Sequence, residues 1–189
     1  MIGLLKYGTG VPFHRIAMLA KNLGIPMPAS TQWDLMLKVS SALDPVMEAL
    51  MKHAAQADLI HNDDTTMKLL DRPDLEKDPK ARKGVYTTSL VARVVANGEQ
   101  RGIVIFKTGA RHAGENLADL LKRRSEELSA PIQMCDALAS NTAGEFETIV
   151  AHCLAHARRR FVEVVDDFPE ECRHLLETLG EIYKTDKES

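Results

Sequence analysis

The chain has 189 residues, 44% of them hydrophobic and 27% charged, with a formal net charge of −3. This is ordinary globular composition with room for a core, and it excludes a disordered tract, a collagen-like repeat and a disulfide-built miniprotein. Aromatic residues are only 5%, which argues against a base-stacking platform for single strands.

The charge is unevenly placed. Residues 162–189 carry 3 Lys/Arg against 9 Asp/Glu, so the acidic excess sits at the C-terminal end and residues 1–161 are mildly basic. A solvated acidic helix is the plain reading of that end. Three cysteines, Cys135, Cys153 and Cys172, lack a Cys-x-x-Cys pair and fit reduced thiols in a cytoplasm. The apolar run at the N-terminus is too short for a signal peptide, and no stretch has the length of a membrane span.

The first 55 residues read as helical. Phe13, Ile16, Leu19, Ala20 and Leu23 recur at helical spacing after Pro12, and Gly24 closes the segment. Ser30 or Thr31 is the expected cap of a second helix bearing Leu35, Val39 and Leu43, and Asp44-Pro45 opens a third. The first two resemble a helix-turn-helix, with a hairpin used only for packing as the alternative.

At residue 58 the period changes. Leu59-Ile60-His61 predicts a strand ending near Asp63, with a second extended run at residues 67–70 and a Pro- and charge-rich loop over 71–83. Val85–Val95, the turn Asn97-Gly98 and Ile103–Lys107 give a hairpin. A helix is expected over 116–124, strands at 131–135 and 148–153, and a helix over 155–168. In such a plan the fourth strand returns parallel beside the first. Asp63 and Asp136, each at a strand end, then lie side by side. Two close carboxylates repel unless a divalent cation lies between them, and Mg²⁺ accepts one or two carboxylates plus waters and phosphate oxygens. Turn-forming or cap roles are the alternative for both.

Several stretches carry a resemblance. Lys6-Tyr7-Gly8-Thr9-Gly10-Val11-Pro12-Phe13-His14-Arg15 resembles the Lys-Tyr-Gly-x-Gly-x-Pro-x-x-Arg opening of transposases of insertion-sequence family sixty-six. Thr31-Gln32-Trp33 is similar to a shortened Thr-Leu-x-x-Trp, and Asn62-Asp63-Asp64-Thr65 to Ala-Asp-Glu-Thr. Gln133-Met134-Cys135-Asp136 resembles Gln-x-Asp with one residue more, and residues 153–161, Cys-Leu-Ala-His-Ala-Arg-Arg-Arg-Phe, resemble Cys-Trp-Ala-His-Ala-Arg-Arg-Lys-Phe.

The resemblance implies a DDE transposase: an α/β, RNase H-like mixed sheet with flanking helices over 56–189, preceded by an all-helical segment over 1–55. It implies Asp63 and Asp136 as catalytic residues holding Mg²⁺ or Mn²⁺. It also implies double-stranded DNA as partner, a transposase homo-oligomer, and a cytoplasmic protein associated with the nucleoid. His156, Arg158, Arg159 and Arg160 are the candidate phosphate contacts, Arg supplying a planar fork of donors; pairing of Arg158 or Arg159 with the acidic end or Asp136 is the alternative. Cys153 and His156 have ligand-like spacing, but two ligands without a second pair do not make a zinc site.

Ala137-Leu138 stand where that family has Gly-Tyr, and Asp64 where it has Glu. The only tryptophan is Trp33, so the Arg-Lys-Asn-Trp stretch that follows the family's third acid has no counterpart. Glu177 and Glu181 match no motif position. The expectation is therefore an internal or truncated part of such an enzyme, inactive alone, with a non-catalytic remnant that binds DNA or a transposase partner as the alternative.

Overall fold

A computed structural model describes residues 1–68, 82–96 and 98–188. The chain divides into two compact units, Met1–Leu50 and Met51–Ser189.

The first unit is helical. A π-helical turn at Leu4–Gly8 precedes α1 (Phe13–Asn22) and α2 (Ala29–Ala42), and α3 (Asp44–Ala55) begins within this unit. Gly24, at φ +73°, ends the α1 region by letting Ile25 N–H reach back to the Ala20 carbonyl. Ser30 and Thr31 do not cap α2. Pro28 occupies the cap position, its ring fixing φ at −57°, and its carbonyl takes the Gln32 amide at 3.1 Å. Of the motif residues of this unit, Gln32 is buried with its side-chain amide on the Met27 carbonyl at 2.8 Å, and Trp33 meets Phe13 edge-on at 6.3 Å.

The second unit is α/β, built on one mixed five-stranded sheet in the order β3-β2-β1-β4-β5. Its strands are β1 (Leu59–Met67), β2 (Val85–Ala96), β3 (Glu99–Gly109), β4 (Ile132–Cys135) and β5 (Ile149–His152). β1 pairs antiparallel with β2, and β2 with β3; β4 runs parallel to β1, and β5 to β4. The return of the fourth strand beside the first is as the element order predicts. Helix α4 (Ala113–Leu121) precedes β4, while α5 (Leu154–Glu163) and α6 (Pro169–Glu188) follow β5.

Alternation decides the faces. Ile60 on β1, Leu90 and Ala92 on β2 and Ile105 on β3 point to one side. There they pack with Leu117, Leu120 and Leu121 of α4 and with Met51, Ala54 and Ala55 from the end of α3. Each fully buried leucine contributes about 2 kcal/mol on transfer grounds.

Four boundaries differ from the periodicity. β1 runs unbroken to Met67, because β2 pairs along its whole length from Leu59↔Arg93 to Met67↔Val85; residues 69–70 and 71–81 lie outside the described residues. Asp63 thus sits within the strand, not at its end. Helix α4 starts at Ala113, three residues earlier than Asn116, because Asp64 and Glu115 supply its capping contacts. It also ends earlier, at Leu121. The helix expected over 155–168 stops at Glu163, and a new helix begins at Pro169, a residue suited to a first turn and hostile to a helix interior.

Candidate active site

The β1–β4 register sets His61 against Met134. Carried on two residues, it brings Asp63 level with Asp136, the residue after β4. Both side chains line one cavity of about 180 Å³, together with His61, Ser89, Cys135 and His156. Ser89 joins them because it is the partner of Asp63 on β2. The fold therefore brings together three of the expected residues, Asp63, Asp136 and His156, in one cavity.

Their settings differ. The Asp63 carboxylate, with 48% of the side chain exposed, accepts its neighbour's amide, Asp64 N–H, at 2.9 Å, and no other donor among the described residues. Asp136 Oδ1 accepts from the Leu138 amide at 3.1 Å and from the Asn141 side-chain amide. His156, in the first turn of α5, places Nε2 3.8 Å from Asp63 Oδ2, too long for a hydrogen bond. Its Nδ1 is buried without a partner among the described residues.

Of the basic run, Arg159 and Arg160 line a second opening, about 260 Å³, shared with Asp136, Cys153 and His156. Arg160 also pairs with Glu163 at 3.0 Å. Arg158 does not line that opening; it lies beside Ala155, Val162 and Tyr183 in a neighbouring one that Arg159 also borders. Burial first, then the charges of Asp136 and Asp63, push the Cys135 thiol up, which keeps it a protonated thiol at neutral pH. Burial, then Arg93, lowers His61 and keeps its imidazole neutral there. Among the described residues no group of three His, Cys, Asp or Glu side chains is arranged to hold a metal ion.

Motif residues to which the sequence assigned no role support the site from behind. Asp64, pointing to the opposite face from Asp63, accepts Thr88 Oγ1 at 2.6 Å, the Ala113 amide at 2.8 Å and contacts His112 Nδ1 at 3.2 Å. Its place where the resembling family has Glu is explained by this reach to the α4 N-terminus. Gln133 and Asn62, both buried, meet at 2.9 Å behind Asp136. Arg124 spends its guanidinium on the Ala55, Ala57 and Ser129 carbonyls. Arg82 is held by Glu115 at 2.5 Å.

No helix among the described residues is long and apolar enough to cross a membrane. No solved structure matches the chain. An uncharacterized protein, y4hP, of Sinorhizobium fredii (strain NBRC 101917 / NGR234) is 29% identical over 170 residues, covering 85% of this chain and 28% of that protein. The chain thus spans little more than a quarter of that relative's length. The model of the family described as "Transposase IS66 family" matches residues 1–189, the whole chain. This chain belongs to the IS66 family of transposases.

Proposed function

We propose that this chain carries two catalytic carboxylates, Asp63 and Asp136, of a DDE-type transposase on an RNase H-like sheet. The observation that carries the reading is their level placement on neighbouring strands in one cavity. Family membership and the order β3-β2-β1-β4-β5 support it. The reaction is hydrolysis of a DNA strand at a transposon end, followed by attack of the freed 3′-hydroxyl on target DNA. The partners are double-stranded DNA and further copies of the transposase, in the cytoplasm at the nucleoid.

The donor set fits a hard divalent cation. Two half-buried carboxylates, one of them taking a single backbone amide among the described residues, face one cavity of about 180 Å³, with an imidazole nitrogen nearby that has no partner among those residues. Asp63 and Asp136 would hold Mg²⁺ or Mn²⁺, which when bound supplies Lewis acidity toward phosphoryl oxygens. The chain's own contribution is placement. Arg159 and Arg160 bring guanidinium groups to the opening beside Asp136, suited to a phosphate, and His156 faces the same space from the first turn of α5.

With no third acid in the group among the described residues, cation binding is weak and this chain alone does not cut. That favours, as second reading for the isolated chain, DNA binding without cleavage. The test is a Mn²⁺ titration of the purified chain with a plasmid-nicking assay in parallel. One weak site lost in both Asp63→Ala and Asp136→Ala is expected, without nicking. Binding that survives both substitutions overturns the assignment.

A further inference from the structure

Asp136 is the first residue after β4, where the chain leaves the sheet, and nothing in the strand ladder fixes its side chain. Its Oδ1 is nevertheless held by two donors, the Leu138 amide and the Asn141 side chain. Asn141 is 1% exposed, and its backbone carbonyl accepts Asn62 Nδ2 at 2.8 Å and Gln133 Nε2 at 2.5 Å, which fixes the backbone from which its side chain projects. Gln133 also gives Nε2 to Asn62 Oδ1 at 2.9 Å and takes Thr148 Oγ1 on Oε1 at 2.9 Å. The cluster ties β1, β4 and the 3₁₀ turn Ala139–Asn141 into one unit behind the cavity.

One atom in it is left over. Asn141 Oδ1 is buried with no partner among the described residues, and an orphan buried acceptor is destabilising. Turning the amide over would not help, because it would set Oδ1 against the Asp136 carboxylate and lose the donor. The orientation is dictated by Asp136.

We propose that Asn141, locked by Asn62 and Gln133, is a positioning residue that aims the Asp136 carboxylate into the cavity. The proposal rests on the reading of Asp136 as a metal-holding carboxylate. It gives the buried glutamine three residues before that aspartate a physical role: it fixes the residue that fixes the ligand. Partners of this kind typically change metal affinity by 10–100-fold.

The experiment uses the 189-residue chain and two readouts, Mn²⁺ affinity by electron paramagnetic resonance and the side-chain carboxyl ¹³C resonance of Asp136 without metal. Asn141→Ala removes the donor; Asn141→Leu does so at similar volume and also removes the orphan oxygen, so it folds even if the first does not. Both are expected to weaken Mn²⁺ 10–100-fold and to move the Asp136 resonance. Gln56→Ala is the control, since Gln56 braces the end of α3 against the Arg123 carbonyl; it lowers Tm and leaves both readouts unchanged. Wild-type Mn²⁺ affinity in Asn141→Leu overturns the proposal, whether or not the resonance moves. Absence of Mn²⁺ binding by the wild-type chain overturns the reading of the carboxylate pair; the resonance then decides the Asn141 contact by itself, and an unmoved signal overturns that too.

Discussion

Gly114 lies so close to the Thr142 carbonyl that a Cβ built on it would stand 2.0 Å from that oxygen, and 2.7 Å from the Ser140 carbonyl. The first turn of α4 and the backbone around Asn141 touch with no side chain between them. Neither neighbour is the flexible end of a side chain, so the helix or the turn must move. Gly114→Ala is expected to destabilise the chain by about 3 kcal/mol, at the upper end of overpacking costs. It should also weaken Mn²⁺ binding by displacing Asn141. A thermal melt and a cation titration check the two effects; an unchanged Tm would show that the contact is slack.

Asp64 is predicted to matter for stability in a way that Asp63 does not. It is 12% exposed and satisfies a hydroxyl and the Ala113 amide at the start of α4. Removing a buried, charge-assisted cap costs about 2–4 kcal/mol. Asp64→Ala should therefore lower the urea midpoint markedly, and Asp63→Ala, half exposed with one local hydrogen bond, by less than about 1 kcal/mol. Equal loss from both would contradict the division of labour.

A third expectation concerns pH. The Lys107 ammonium, 2.7 Å from Asp119, holds that carboxyl below the ordinary value of 3.8 by hydrogen bond. A carboxyl lower in the folded state than in the unfolded one stabilises the fold above the unfolded value. That contribution is lost as pH falls below 3.8 through the folded value. Asp119→Asn should flatten the acid limb of stability over that window and leave its shape above pH 5 unchanged. The pair is about a quarter exposed, so its worth is about 1 kcal/mol. Denaturant midpoints from pH 7 down to pH 2 decide it.

The fourth is electrostatic. Binding to duplex DNA should fall steeply with salt, the mark of displaced counterions. Arg159→Gln and Arg160→Gln should each reduce the slope of log K against log salt by about 1, if each touches a phosphate. Arg158→Gln should change it least, since Arg158 lies beside Tyr183 and does not line the opening with Asp136. A fluorescence anisotropy series at four salt concentrations separates the three.

Much of the fold was legible because it is written in local pattern. Period-two runs at Val85–Val95 and Ile103–Lys107 gave the hairpin, and a helix between strands gave the parallel return of β4 beside β1. What escaped were features made by distant partners. β1 passes Asp63 and continues to Met67 because β2 pairs with it there, although Asn-Asp-Asp reads as a strand end. Helix α5 stops at Glu163 although apolar spacing carries on to Phe168, and α6 begins separately at Pro169. At the site, Asp63 and Asp136 stood out as carboxylates closing apolar runs. Asn141 did not, and the roles of Asn62 and Gln133 within their motif stretches were not readable, because a cluster joining residues 71 and 8 positions apart leaves no mark on the sequence.

The adjacent aspartates of β1 bear on how the chain finds its fold. A strand can slip by one residue against its neighbours, and such a slip turns every side chain to the opposite face. Here it would carry Asp63 into the space under α4 and swing Asp64 out to the cavity. To composition the two states are nearly indistinguishable, since one aspartate replaces the other. To geometry they are not: in the slipped sheet Ile60 and Asn62 leave the interior, and the buried glutamine faces a histidine. The Asp-Asp pair thus makes the local sequence ambiguous and leaves the correction to the amides. A register one residue out of step would keep a carboxylate on each face, and the contact of Asn62 with Gln133 is what it would lose.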